Sequence, residues 1–254
     1  MGLKAPALVV LISLAAGQQT EYPPPTNLIT VPTAGGLVRG SFATDLRFQK
    51  GGTVMAGLSV GITDRFMFGL SYGASYLIGD RKPVAYPQPG VILKYRLIDE
   101  STSMPGVAIG LDTQGFGAYD PDSLKRYSVK AYGAYLAFSK NWRSPFGNVG
   151  LHLGTNYNFT EQTDGDEDVS GFAGFDVEIN PELSLLFEYN AALNENDTRA
   201  RGISLNRGGY LNAAIRWTFV EHLHLEFHFN NLLFDDAKVG YINREVKVTY
   251  IEYF

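Results

Sequence analysis

Three histidines and one glutamate alternate along a short stretch of the chain, at His222, His224, Glu226 and His228. Imidazole and carboxylate groups are ligands for zinc and similar divalent metals. Alternate residues of a strand lie about 6.6 Å apart, so neighbours in this row would have to bend toward each other to share an ion. The simpler interpretation makes the row the polar face of one strand, paired with charged residues of adjacent strands. We adopt it and predict no metal site.

A second question is whether any side chain could act as an activated nucleophile, which requires a base within hydrogen-bonding reach. His152 is followed two positions later by Gly154 rather than by serine. His224 and His228 have Glu226 between them, again with no serine in register. We therefore predict that the protein is not an enzyme and uses no cofactor.

The composition limits the class of protein. The chain has 254 residues and a formal net charge of -5, from 21 basic and 26 acidic residues. Nucleic-acid-binding proteins normally carry a basic excess, so we expect no nucleic-acid partner. The chain is rich in glycine and aromatic residues, with 28 glycines, 15 tyrosines and 16 phenylalanines. It contains no cysteine, which excludes a small secreted domain held together by disulfide bonds.

The arrangement of apolar residues predicts an all-β protein. From Gly36 onward, apolar and polar residues alternate with the period of a strand, in about twelve stretches of roughly 9–14 residues. The segregation is clearest where Leu223, Leu225 and Phe227 share one face and the histidine row occupies the other. Ordinary strands average about 5–6 residues, whereas a tilted strand needs about 9–11 to cross a bilayer.

The connections between the strands also alternate. Short turns at 63–64 and 180–182 are interleaved with longer polar loops at 79–90, 160–168 and 194–208. Outer-membrane barrels have short periplasmic turns, longer outer loops and an even number of strands. We therefore predict a single antiparallel transmembrane β-barrel of about 12 strands, with apolar side chains toward lipid and polar ones toward the lumen. A soluble secreted β-sandwich is the alternative, because alternation alone does not say which face is buried.

This assignment of faces predicts two kinds of lumen surface. One is charged and is formed by Arg39, Asp45, Arg47, Glu188, Arg216, His222, His224, Glu226 and His228. The other is a small lumen wall formed by Gly57, Ser59, Gly61, Gly69, Ser71, Gly73 and Ser75. Such small side chains leave volume that water or another part of the chain must occupy.

The chain divides into three parts. Residues 1–17 have the order of a secretory signal peptide, with Lys4 followed by an apolar run too short to span a bilayer and then small residues. Residues 18–35 are rich in proline and extended in character. They either fold into the lumen as a partial plug or form a loose tether. Residues 36–254 form the barrel.

Two resemblances extend this interpretation. The last strand carries Tyr250 and Tyr253 and ends in Phe254, and it resembles the C-terminal insertion signal of bacterial outer-membrane β-barrels. Residues 27–34 (NLITVPTA) and 61–66 (GITDRF) resemble the opening of YjbH-type barrels, which are linked to exopolysaccharide export. The first resemblance implies the bacterial outer membrane, and the second implies an envelope or export assembly.

We accordingly expect either a passive channel for small polar solutes or a structural component of such an assembly without channel activity. The partners expected are outer-membrane lipid, lipopolysaccharide and export-complex proteins. Counted from Asp164, the acidic run 164–168 is not followed by the sixth-position glycine or the closing glutamate of an EF-hand loop, so we interpret it as a solvated outer loop. Divalent ions bridging it to lipopolysaccharide phosphates are the alternative.

Overall fold

A computed structural model describes residues 25–144, 147–197, 206, 208–220, 222–234 and 242–254. The predicted signal peptide and residues 18–24 of the proline-rich segment lie outside the described residues. None of the described residues forms a helix long and apolar enough to cross a membrane. Fifteen strands are described: β1 (Ser41–Gln49), β2 (Thr53–Gly61), β3 (Phe66–Ser75), β4 (Val84–Ala85), β5 (Gly90–Ile98), β6 (Gly106–Asp112), β7 (Phe116–Asp120), β8 (Arg126–Val129), β9 (Gly133–Ser144), β10 (Gly147–Tyr157), β11 (Ser170–Asn180), β12 (Leu183–Asn190), β13 (Tyr210–Val220), β14 (Leu223–Asn230) and β15 (Asn243–Tyr253).

Twelve of these strands form a closed antiparallel barrel. Each pairs with its neighbours in the order β1-β2-β3-β5-β6-β9-β10-β11-β12-β13-β14-β15, and β15 pairs with β1, with Ser41 opposite Tyr253. Closure leaves no unpaired strand edge, which a lipid environment requires. The predicted fold class is confirmed, and closure excludes the soluble sandwich.

The two faces of the wall differ as the alternation predicts. Outward side chains are large and apolar, and Leu58, Leu70 and Phe227 are each 41–50% exposed. Inward side chains are polar or small, and most of them are buried. Because a soluble protein rarely leaves so continuous an apolar surface in water, the outer face is suited to lipid.

The third outer connection, between β6 and β9, departs from the sequence prediction. The alternation predicts one strand over 127–139, but the barrel strand starts only at Gly133 and residues 116–129 form a separate hairpin, β7–β8. The wall resumes at Gly133, and this position needs a glycine because its φ is +67° and a Cβ there would lie 2.3 Å from the Tyr157 carbonyl oxygen. The hairpin reaches inward side chains of β1 and β2, since the Gly117 N–H donates to Gln49 and Tyr127 packs with Met55.

Candidate functional site in the barrel lumen

A tight loop of the N-terminal segment occupies the lumen. Residues 26–33 close on themselves, with a bridge between Asn27 and Pro32 and a hydrogen bond of 2.9 Å from the Leu28 N–H to the Val31 carbonyl. The loop bonds to inward side chains of β1, β5, β12 and β13, which lie in different parts of the closed ring. A segment that reaches so many parts of the wall must lie inside it.

Glu188 on β12 is the main anchor of this loop. Its Oε2 accepts the N–H groups of Ile29, Thr30 and Val31 at 3.0, 2.9 and 2.9 Å. Its Oε1 accepts the Thr30 hydroxyl at 2.6 Å and the Asn212 amide at 2.8 Å. Three successive backbone N–H groups form a concave anion site, and the carboxylate that fills it is only 1% exposed.

Cations of the wall hold the carbonyl groups of the same segment. The Arg47 guanidinium donates to the Ile29 carbonyl at 2.7 Å, and Arg216 donates to the Leu28 carbonyl at 3.2 Å. The Lys94 ammonium donates to the carbonyls of Thr26 and Gly35. Backbone acceptors and donors that would otherwise be buried without partners are thus satisfied.

Apolar contacts complete the fit. Leu28 and Ile29 pack on Leu186 and Ala214, which are inward-facing apolar residues on an otherwise polar surface. Gly174 leaves room for this contact, since a Cβ there would lie 2.4 Å from a Leu28 methyl group. On the other side, Val31 joins a cluster formed by Phe116, Tyr132, Tyr135, Ala137 and Phe172.

A charged network continues from the loop across β13, β14 and β15. The Glu226 carboxylate lies 2.8 Å from the Arg216 guanidinium and 2.7 Å from His228 Nε2, with the Lys247 ammonium at 3.9 Å. His224 hydrogen-bonds to the Thr218 hydroxyl at 3.0 Å. His224 therefore meets a partner on a neighbouring strand, whereas His228 pairs with Glu226 of its own strand. Within the described residues there is no group of three or more side chains suited to holding a metal ion.

Two residues assigned to the charged lumen lie elsewhere. Arg39 precedes β1 and is exposed at the periplasmic end, where its backbone N–H faces Asp64. His222 sits in the turn before β14, and its ring centroid lies 6.3 Å from that of Tyr250 and 6.4 Å from that of Tyr253. The alternation of inward and outward side chains does not extend to either residue, because each lies before the first residue of its strand.

The other charged residues that the sequence places in the lumen face inward in the structure. Asp45 lies beside Gly57, where a Cβ would come within 2.7 Å of the carboxylate. The remaining inward members are Arg47, Glu188, Arg216, His224, Glu226 and His228.

The small wall is largely filled by the chain itself. The seven glycines and serines occupy inward positions of β2 and β3. A Cβ at Gly61 would lie 1.9 Å from the Val38 carbonyl oxygen, and one at Gly73 would lie 2.9 Å from the Tyr86 ring. Small side chains are needed here because the residues before β1 and those of the second outer loop pack against this part of the wall.

The three C-terminal aromatic residues lie at the periplasmic rim. Tyr250 and Tyr253 are 39% and 43% exposed, and Phe254 is 82% exposed. Phe42 on the neighbouring strand lies 6.4 Å from Tyr250 and 6.1 Å from Phe254, measured between ring centroids. Aromatic residues at this level form the interfacial girdle typical of such barrels. Their role as an insertion signal remains a prediction.

A serine–histidine–aspartate chain escaped the sequence analysis. His152 Nδ1 lies 2.7 Å from the Ser139 hydroxyl, and His152 Nε2 lies 2.8 Å from the Asp176 carboxylate. The three residues stand on β9, β10 and β11, so only the register brings them together. The Ser139 hydroxyl also accepts the Ala34 N–H at 2.8 Å and is covered by it, so we assign this chain to positioning the N-terminal segment.

This assignment predicts the effect of Ser139→Ala. The substitution leaves the Ala34 N–H and His152 without their partner, and a buried polar group without a partner costs about 1–3 kcal/mol. We expect the free energy of unfolding to fall by about that amount in a denaturant titration. Ser184→Ala, at an inward position of β12, is the matched control and should have little effect. Equal effects of the two substitutions would contradict the assignment.

The outer mouth is covered by a second buried network. The Arg126 guanidinium forms ion pairs with Asp164 and Glu195, and the Lys130 ammonium lies 2.7 Å from Asp164. Burial raises the pKa of the Glu195 carboxyl, an effect that Arg126 partly offsets. The sequence predicts a solvated outer loop, but part of this loop is buried, since Asp164 pairs with Arg126 of β8 and with Lys130 directly after β8.

Together these features define the class of protein. A closed barrel of twelve antiparallel strands, with an apolar outer face and a polar interior, is a transmembrane β-barrel of the bacterial outer membrane. No protein-family model and no curated protein matches the chain. The NanC porin structure is 9% identical with a TM-score of 0.44, and the KdgM porin is 11% identical with a TM-score of 0.45. Both alignments cover 84% of this chain and 99% of the other.

Proposed function

We propose that the protein is a channel for small polar solutes whose lumen is closed by its own N-terminal segment. Twelve strands enclose more space than an eight-stranded barrel, whose side chains fill it, and less than a 16-stranded porin. The observation that supports closure is the set of three backbone N–H groups held by the Glu188 carboxylate. If the segment were only a loose tether, its backbone N–H groups would not be bound by one buried carboxylate of the wall.

Conductance in planar bilayers tests this function. We expect the intact chain to conduct weakly or in rare openings, and a variant lacking residues 21–32 to conduct steadily. Heat modifiability on gels provides the control that the variant still folds as a barrel. Steady, equal conductance of both forms would overturn closure by the segment, and a silent bilayer with both folded forms would overturn the channel.

A structural role in an envelope or export assembly is the second candidate. It is supported by the resemblance of residues 27–34 to YjbH-type barrels and by an interior that the chain fills with its own residues. In this role the described lumen would serve rigidity rather than passage. Outer-membrane lipid and lipopolysaccharide would surround the barrel in either case, and export proteins would be partners only in the second.

A further inference from the structure

One level of the lumen wall carries buried polar atoms that have no hydrogen-bond partner in the described protein. It runs across five adjacent strands, β14, β15, β1, β2 and β3. His228 is opposite Glu245, and Gln49 is opposite Thr53. The same registers, continued by one residue, place Glu245 opposite Gln49 and Thr53 opposite Ser75. We call these five residues the polar shelf.

Each member of the polar shelf has a buried polar atom without a hydrogen-bond partner. These atoms are His228 Nδ1, Glu245 Oε2, Gln49 Nε2, Thr53 Oγ1 and Ser75 Oγ. The first two lie 3.9 Å apart, which is beyond hydrogen-bonding distance but close enough for an ion pair. All five residues are more than nine-tenths buried. Native proteins leave few such groups unsatisfied, and each one calls for an explanation. Five on a single level form a site for something polar.

Arg47 adds two donors from the next level of β1. One nitrogen of its guanidinium donates to the Ile29 carbonyl, and the group lies 4.8 Å from the centroid of the Phe116 ring. Its Nε and Nη1 have no partner. Arg47 therefore contacts the N-terminal segment and the β7–β8 hairpin, and two of its donors stay without a hydrogen-bond partner one level from the shelf.

The chemistry of these groups indicates the class of solute. Arg47 and Gln49 offer donors, Glu245 offers an acceptor, and the two hydroxyls can act as either. The inward charges of β1, β13, β14 and β15 are equal in number apart from the histidines, with Arg47, Lys247 and Arg216 against Asp45, Glu226 and Glu245. A balanced arc does not favour a net cation or a net anion. Resting on the proposed function, we infer that the polar shelf binds a small, neutral, polyhydroxylated solute on its way through the channel.

Equilibrium dialysis of the intact, detergent-solubilised protein against labelled glucose tests this site. We expect saturable binding that is about tenfold weaker in Thr53→Val/Ser75→Ala, since two hydrogen bonds of ordinary strength are lost. Both hydroxyls lack protein partners, so the double substitution leaves no other group unsatisfied. Thr218→Val on β13, whose hydroxyl bonds to His224, is the matched control and should bind glucose as the unmodified chain does.

Three results would overturn the inference. They are the absence of saturable glucose binding, which would mean that water alone occupies the shelf; unchanged binding in the double variant; and stronger competition by acetate or methylammonium than by glycerol. Failure of the proposed channel function would be distinguishable from failure of the binding site. If the bilayer stays silent but the protein still binds glucose, the channel function is overturned and the binding site stands.

Discussion

Glu188→Leu should release the N-terminal segment and open the lumen. The substitution removes the acceptor of three backbone N–H groups, the Thr30 hydroxyl and the Asn212 amide. Hydrogen bonds to a charged group are each worth about 1.5–3 kcal/mol, so the bound arrangement of the loop should lose several kcal/mol. We expect single-channel conductance in planar bilayers to rise severalfold toward that of the chain lacking residues 21–32.

Glu182→Leu is the matched control for this prediction. Glu182 lies exposed in a periplasmic turn, and replacing it changes the same charge without touching the loop. If Glu188→Leu folds as a barrel and conducts no better than Glu182→Leu, then Glu188 does not hold the channel closed.

Leu225→Arg should destabilise the barrel by up to about 2–4 kcal/mol, the cost of an arginine at the middle of the lipid-facing band, because the arginine must lose its hydration on the outer face. Leu225 is opposite Trp217 and Val248 on the outer face and is the third of the eight residues of β14. The measurement is reversible unfolding by denaturant in phospholipid vesicles. The expected loss tests the assignment of the outer face independently of any channel activity.

Leu233→Arg, in the loop that follows the same strand, is the matched comparison. Leu233 follows β14 at the outer end and is 49% exposed, so the same change there should cost about 0–1 kcal/mol. Similar losses at both positions would mean that Leu225 does not face the hydrocarbon of the bilayer.

The wall of the barrel could be predicted from the sequence because alternation reports directly on the two faces. On β14, inward His224, Glu226 and His228 alternate with outward Leu225 and Phe227, as expected. Alternation no longer reports the direction of a side chain beyond the end of a strand. His222 stands two residues before His224 and so continues the alternating row in the sequence, but it belongs to a turn that follows a bulge between Thr218 and Val220.

The contents of the lumen were harder to predict for a physical reason. The alternation predicts that Glu188 faces the lumen. Its partners could not be predicted, because they are backbone N–H groups, which every residue except proline carries and which leave no signature in the sequence. Leu186 and Ala214 provide a signal, since an apolar residue at an inward position calls for an apolar partner, here Leu28 and Ile29. The Ser139–His152 contact depends on the register between β9 and β10, which residue types alone do not specify.

The accessibility of a single cysteine at position 29 tests most directly whether the N-terminal segment lies in the lumen. The chain contains no cysteine, so Ile29→Cys introduces a unique reporter at a site that is 0% exposed. We predict that a membrane-impermeant maleimide leaves this cysteine unlabelled in the folded barrel and labels it rapidly when Glu188→Leu is added. Rapid labelling of Ile29→Cys in the otherwise unmodified, folded barrel would contradict the account.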